Sequence, residues 1–578
     1  MTALPASASL DATQTSPSWW RERELGFVIA LSILTLCLRL SDLPLFGEEP
    51  RRALIAREMI ETGDWLVPGT QGVFLASRPP LQNWLIAGFA LFSGSFDAWS
   101  VRLPSILSTI AVAVILYGYL RQQVGRLGSM AGAVSFVTML LVMEFGRSAE
   151  TEAVFTVFVA ASMLCWHWGW IKQWPAWQMW SVGYAFAALG MLTKGLQAPV
   201  YFVGSTGLFL LATGNWRAIF TRGHLLGMIA FLLLFGAWQA PFTFERGLGD
   251  SWMIYFGDVA GRFVDRGWAK FLTHLVVYPC ELLLVRLMPW SILLLAFASR
   301  RFREQLGNCR ESVLFLSICI VFSFVFVWLP PGSKARYYMP LFPSFAALVG
   351  IAVDGLAKQW QTVGCPALWS KFSQSMTYLM AGSAIVVLAV SLLLPGFIIS
   401  LPLAGAALFA VGAIACAYVV QKSLAQSQGP SEFAHRAIAR GLFAMAGFLA
   451  MVQVGLITTV QQRRCEDVAG HVEALKRQLP ADVQLVSLGL MHHTFAFFYG
   501  QPIPIVPMPL SDLPEGQDYF CLHTYESDPP ALPFEWTQIA VISCDRFKCE
   551  TTPKDRVFVG VRTASHAVGM KDTRSSMR

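Results

Sequence analysis

The stretch Gly47-Glu48-Glu49-Pro50-Arg51-Arg52-Ala53 puts two adjacent carboxylates and two adjacent guanidiniums just after an apolar run that ends near Leu40-Ser41. Ionisable groups at a bilayer border are costly, so a cluster of them marks a functional site by default. The plainer reading is a juxtamembrane patch that stops a helix from sliding, because flanking charges are common at helix ends. The rest of the chain decides between the two.

That the preceding run is membranous follows from composition. Of 578 residues, 55% are hydrophobic and 14% charged, with a mean hydropathy of +0.52. A soluble domain carries about 25% charge, so the chain reads as a polytopic membrane protein and no soluble-enzyme class fits. The net charge of +7 matters by its placement, since basic residues mark the cytoplasmic side. No nucleic-acid partner is expected. Residues 1–20 are polar and rich in Ser, Thr and Pro, and Arg21 and Arg23 precede the first apolar run. No small-residue cleavage site follows that run, so it reads as a retained anchor with the N-terminus inside.

A spanning helix needs about 20 apolar residues. Thirteen segments qualify as candidates: 24–41, 102–120, 127–145, 152–170, 177–193, 195–213, 223–241, 275–298, 311–329, 337–353, 376–395, 399–420 and 439–458. The run 81–92 is too short and is broken by Gly88, which predicts an interfacial helix. Starting inside, the inner connections carry Arg121 and Arg126, Lys172, Arg217 and Arg222, Arg300-Arg301-Phe302-Arg303, Lys358 and Lys371, then Lys422 and Arg436. Counting 81–92 as a span would turn the strongest basic run outward. Thirteen crossings place 459–578 outside.

The outer connections nevertheless hold Arg51, Arg52, Arg57, Arg78, Arg147, Lys194, Arg262, Arg266, Lys334 and Arg336. The positive-inside bias disfavours them there unless an anionic ligand on the outer face needs them. Headgroup contact explains any one of them more readily than all ten. Within the first outer loop, 42–101, residues 53–61 have the spacing of a helix lying in the interface. Thr62-Gly63-Asp64 ends it through a left-handed cap, and Pro79-Pro80 opens the next helix. A second outer loop, 242–274, mixes aromatics with Asp250, Asp258, Arg262, Asp265 and Arg266, and a third, 330–336, is punctuated by Pro and Gly.

From 459 onward the pattern changes. A helical stretch at 466–478 precedes strand-like runs at 483–488, 518–523, 538–543 and 557–561, which predicts a small α/β domain. The expected division is therefore a membrane domain, 1–458, and an outer soluble domain, 459–578. Of eleven cysteines, Cys37, Cys165, Cys319 and Cys416 lie in spans and read as core residues. Cys465, Cys521, Cys544 and Cys549 fall in the outer domain. Four cysteines permit two disulfides in three connectivities, and the outer side is oxidising; free buried thiols are the alternative. No Cys-x-x-Cys spacing suggests zinc, and the adjacent pair His492-His493 reads as a turn.

The ordered motifs carry a resemblance. Glu48-Glu49-Pro50-Arg51-Arg52-Ala53-Leu54-Ile55-Ala56-Arg57-Glu58-Met59, Gly63-Asp64-Trp65-Leu66-Val67-Pro68 and Arg78-Pro79-Pro80-Leu81-Gln82-Asn83-Trp84 resemble the first outer loop of the aminoarabinose (lipid A) transferase and protein O-mannosyltransferase superfamily. Arg102-Leu103-Pro104-Ser105, Leu192-Thr193-Lys194-Gly195, Leu287-Met288-Pro289-Trp290 and Ser333-Lys334-Ala335-Arg336-Tyr337-Tyr338 continue it in order to about residue 350. The resemblance implies an all-α polytopic membrane protein of the GT-C fold, with about thirteen transmembrane helices and a small α/β extracytoplasmic C-terminal domain. It implies an inverting hexosyl- or pentosyltransferase that takes sugar from a polyprenyl (undecaprenyl) phosphate donor. The acceptor would be lipid A, lipopolysaccharide or another envelope lipid or glycan, on the outer face of the bacterial inner membrane. The rival readings are transfer to exported proteins, a ligase using a pyrophosphate-linked donor, and a flippase of lipid-linked saccharide. Against the flippase, transporters place charges at the bilayer midplane and show repeats, whereas these charges crowd the outer border.

The resemblance also assigns positions. Glu48 falls where the family places its catalytic aspartate, and Glu49 on the acidic neighbour. Arg51 and Arg57 match family arginines, and Arg52 replaces a tyrosine. Ser77-Arg78 stands where the family has Glu-Lys, so Arg78 keeps the cation while Ser77 loses a carboxylate that helps hold a metal in some members. A divalent metal therefore stays an open cofactor, with no ligands assigned. The chemistry agrees: a departing phosphate needs cationic stabilisation, arginine's planar fork suits it, and a carboxylate can take the proton of an acceptor hydroxyl. Lys194, Lys334 and Arg336 join Arg51, Arg57 and Arg78 as expected donor-phosphate contacts. Arg52, Arg147, Glu152, Arg262, His274 and Tyr337 are the further substrate-contact candidates.

Overall fold

The computed structural model describes residues 19–75, 78–261, 267–425, 430–480, 483–508, 513–514, 516–526, 528–548 and 554–563. Helix dominates. The first part of the chain runs through α1 (Arg23–Cys37), α2 (Glu49–Thr62), α3 (Leu81–Ser93), α4 (Ala98–Leu120), α5 (Arg126–Thr138), α6 (Leu140–Phe145), α7 (Thr151–Ile171) and α8 (Ala176–Lys194). Each of the thirteen apolar segments coincides with helix, yet among the described residues eight helices are long and apolar enough to cross a membrane. A ninth results if Phe271–Arg286 and Trp290–Ala298, bent by 108°, form one broken span.

The expected count of thirteen spans is thus not met by length and hydropathy, for local reasons. α1 stops at 15 residues, where Leu38 turns extended and Arg39 then takes a positive φ of 56°. The segment 127–145 breaks at Met139, whose extended backbone separates α5 from α6. Tryptophans, a tyrosine and a glutamine dilute α8, and Gln197–Ala212 is only 16 residues long. The long helices pack closely where small residues allow it. A Cβ on Gly350 would lie 2.6 Å from the Gly128 carbonyl oxygen, and one on Gly128 would lie 2.8 Å from that of Gly350. Close backbone approach of this kind is how membrane helices gain packing in a solvent that gives no hydrophobic drive.

The loop between α1 and α4 is ordered by charge and by apolar burial. Two short strands, β1 (Gly69–Thr70) and β2 (Val73–Phe74), form an antiparallel hairpin. α2 ends as its sequence predicts, with Gly63 at φ 74° donating to the Met59 carbonyl. Its apolar side is covered by protein. Ala53, Leu54 and Ala56 of α2 share one core with Ile86 and Ala87 of α3 and with Val468, Val472, Phe495 and Val557 from the far end of the chain.

That far end holds a five-stranded sheet of β3 (Val486–Leu488), β4 (Ile505–Val506), β5 (Tyr519–Thr524), β6 (Trp536–Ser543) and β7 (Arg556–Arg562), in the order β4-β3-β5-β7-β6. β3 pairs parallel with β4 and β5, and the remaining pairs are antiparallel. Side chains alternate across β5: Cys521 faces the core shared with α2, while Phe520 and Leu522 face a second cluster with Val486 and Leu488. Four of the strands lie where the sequence pattern puts them; β4 is too short to show.

Two disulfides in this region would need all four of its cysteines. Cys465, Cys521 and Cys544 are instead free, buried thiols, and Cys549 lies outside the described residues. Cys521 is fixed in the central strand β5, its Sγ 3.5 Å from the Val486 carbonyl. Burial accounts for these thiols, as it does for free cysteines elsewhere.

Candidate active site

Glu49 and Arg102 hold the floor of the site. All five guanidinium N–H donors of Arg102 are used. Its Nε and Nη2 bond the Glu49 carboxylate at 2.9 and 2.7 Å, and Nη1 and Nη2 also reach the Leu40, Leu43 and Pro44 carbonyls. Glu49 further accepts from the Ala149 and Phe46 amides. Burial works against its charge, but Arg102 and these amides outweigh it and hold the carboxyl below its usual range. The pair therefore ties the turn after α1 to α4 and to the loop before α7.

One residue earlier, Glu48 faces the other way. Gly47, at φ 65°, makes the turn that a side chain would resist, and Glu48 then opens α2. A polar cavity of about 190 Å³ lies above it, lined by Glu48, Arg51, Arg52, Arg78, Glu150, Thr151, Glu152, Lys334, Arg336 and Tyr337. Five cations and three carboxylates thus meet in one space, from α2, the strap before α3, the start of α7 and the 334–337 turn. Glu48 pairs with Arg51 at 2.9 Å. Burial opposes its charge, but Arg51, Arg52 and Arg336 outweigh this and keep the carboxyl low.

The other two carboxylates differ from it. Glu152 is buried and is met by Lys194 at 3.0 Å and by Arg336 at 3.2 Å. Glu150 pairs with Arg336 and, at 3.0 Å, with Arg546. Burial, and then the Glu152 charge, push the Glu150 carboxyl up to about 7. Arg52 is almost fully buried, its Nε without a hydrogen bond among the described residues. Burial lowers its pKa to about 10, and in water an arginine stays charged at that value. Such a guanidinium at a cavity wall is a ready anion contact.

Of the residues singled out from sequence, Glu48, Arg51, Arg52, Arg78, Glu152, Lys334, Arg336 and Tyr337 line this one cavity. Lys194 stands behind Glu152, with its ammonium 4.3 Å from the Tyr337 ring centroid. The others are elsewhere. Glu49 is consumed by Arg102. Arg57 lies over the rings of Phe497 and Phe96 and donates to the Phe497 carbonyl. Arg147 is buried, within 3.5 Å of the Thr458 hydroxyl. His274 bonds the Trp328 carbonyl at 2.8 Å and packs on Tyr278. Arg262 lies outside the described residues.

Sequence reading missed Glu150, Thr151, His493 and Arg546. The signal for Glu150 was present in Arg147-Ser148-Ala149-Glu150-Thr151-Glu152, where helix phase decides which acid faces inward. His493 and Arg546 come from the far end of the chain and carry no local signal. As to a metal, no three His, Cys, Asp or Glu side chains among the described residues stand close enough to hold one. The carboxylates of the cavity are each engaged by cations, so this donor set does not fit a metal.

Residues 77–238 match the family described as dolichyl-phosphate-mannose-protein mannosyltransferase. The undecaprenyl phosphate-alpha-4-amino-4-deoxy-L-arabinose arabinosyl transferase of Edwardsiella ictaluri is 25% identical over 320 residues, 54% of this chain and 55% of that protein. Its Pseudomonas aeruginosa LESB58 counterpart is 27% identical over 318 residues, covering 53% and 55%. The chain spans about half the length of the curated relatives it matches. Among solved structures, ArnT from Cupriavidus metallidurans bound to undecaprenyl phosphate is 16% identical, with a TM-score of 0.68 over 94% of this chain and 98% of that one. The fold is thus that of the GT-C membrane glycosyltransferases. Within that fold, the sequence is similar to the aminoarabinose transferases over about half of the chain and to the protein mannosyltransferase family over residues 77–238.

Proposed function

We propose that the chain transfers a sugar, by inversion, from a polyprenyl phosphate donor to lipid A or another envelope acceptor at the outer face of the inner membrane. The observation that carries this reading is the cavity in which five cations surround Glu48. Arg51, Arg52, Arg78, Lys334 and Arg336 receive the donor phosphate. An acceptor oxygen attacks the anomeric carbon, the bond from that carbon to the phosphate oxygen breaks, and polyprenyl phosphate leaves with the electron pair. The cations stabilise the charge that develops on it. Glu48, kept ionised by its neighbours, takes the proton of a hydroxyl acceptor. A phosphate acceptor needs no proton removed, and Glu48 then orients it. Among sugars, arabinosyl is favoured because the similar curated proteins are named for that donor.

The topology attached to this reading is the thirteen-segment path, with the N-terminus inside, 1–458 as the membrane domain and 459–578 as a periplasmic domain. The basic residues of the inner connections support it. Mass spectrometry of lipid A, exported glycans and exported proteins, from cells with and without the gene, tests the acceptor. A pentose-sized mass difference confined to lipid A is the expected result. A hexose on exported proteins would move the acceptor to protein, and no difference in any fraction would count against transfer.

A further inference from the structure

The far end of the chain touches the Glu48 turn from two sides. His493 opens the helix His493–Tyr499. Its Nε2 lies 3.0 Å from the Gly47 carbonyl and its Nδ1 3.4 Å from Arg51 Nη2. The first contact requires Nε2–H to donate and the second leaves Nδ1 as acceptor, so the pair fixes one neutral tautomer. Across the turn, the Arg546 guanidinium lies 5.0 Å from the Phe46 ring centroid. Its Cδ, Nε and Nη1 stand 3.6–3.7 Å from where a Gly47 Cβ would be, and Nη1 pairs with Glu150 at 3.0 Å. Neither residue lines the cavity.

We propose that His493 and Arg546 are positioning residues: together they clamp Phe46-Gly47-Glu48 and so set Glu48 and Arg51 for the transfer step. This rests on the transferase reading above. The clamp acts on geometry. His493 binds both the backbone that carries Glu48 and the guanidinium that pairs with it, so one imidazole fixes the Glu48–Arg51 unit at two points. Arg546 closes the opposite side and gives Glu150 a second cation, leaving Arg336 able to serve both Glu152 and an incoming phosphate. A mere docking contact has none of these links. Gln71, which exchanges hydrogen bonds with Met491 at 3.0 and 3.2 Å, ties the same two parts of the chain together away from the turn and serves as the control.

The test measures kcat and donor KM for sugar transfer by the purified full-length protein and its variants, with melting followed in parallel. His493→Ala should lower kcat about 10- to 10²-fold, the scale of a small misplacement of a reacting group, while donor KM changes little. His493→Gln can donate to Gly47 and accept from Arg51, and should recover much of the loss. Arg546→Met should also lower kcat, with recovery in Arg546→Lys, and Gln71→Ala should leave kcat unchanged. Should His493→Ala not fold, the Arg546 pair carries the same test. Full kcat in His493→Ala and Arg546→Met, beside an inactive Glu48→Gln, overturns the clamp and leaves the transferase reading standing. An equal fall in Gln71→Ala overturns it too, because docking alone would then explain the loss. A wild-type protein that transfers no sugar sinks the transferase reading first.

Discussion

Glu48 and Glu49 are chemically the same and adjacent, yet the fold sends them to opposite fates. Helix phase turns Glu49 into the grip of Arg102 and Glu48 toward the cavity, and no single sequence carries that phase. Glu49→Ala should therefore act on stability, because it leaves a buried guanidinium uncompensated, a loss of about 3–5 kcal/mol. Glu48→Gln should melt as the wild type does. Thermal unfolding of the two purified variants checks this, and a reversed order would exchange their roles. Glu150 gives a prediction in pH. Its carboxyl, pushed up to about 7 from 4.5, favours the folded state fully below pH 4.5, and that contribution is lost as pH rises through 7. Glu150→Gln cannot titrate, so its melting temperature relative to the wild type should rise between pH 5 and pH 8. A difference independent of pH would contradict the assignment. The nature of these residues was legible in the sequence; their partners were not, because Glu150 meets Arg546 across 396 positions of chain.

Among the elements, those fixed by local chemistry were read correctly. The Gly63 cap, the short helix at 81–92 and four of the strands follow from turn residues and period. The elements that tertiary packing decides were not. α2 has the polarity of an interfacial helix, and nothing in its sequence announces that its apolar side is covered by α3 and the helix His493–Tyr499. Apolar runs break or stop at Met139 and at Leu38-Arg39 without any Gly or Pro to announce it. Packing at α5 yields a further test. Gly350→Ala would drive a methyl into the Gly128 carbonyl, and overpacking of this kind costs about 1–3 kcal/mol. Gly382→Ala meets nothing within 4 Å and should be neutral. Melting temperatures that fall equally for both would dissociate stability from the α5 seam.

For the whole molecule, the ordered motifs to about residue 350 disclosed the fold and the resemblance to the aminoarabinose transferases, while the final hundred residues carried no motif. What they add, a sheet that shares a core with α2 and two side chains at the Glu48 turn, arises from contacts spanning more than 390 positions. Sidedness is tested independently: a reporter that fluoresces only in the cytoplasm, fused after Arg578, should stay dark, and a bright one would invert the outer loops. The central claim is that Glu48 and its cations transfer a sugar from a lipid-linked phosphate. Its most direct measurement is turnover by purified protein supplied with a polyprenyl-phosphate sugar and a hydroxyl acceptor. Glu48→Gln should keep the fold and lose about 10²–10⁴ in kcat. Full turnover by that variant, beside active wild type, would contradict the account.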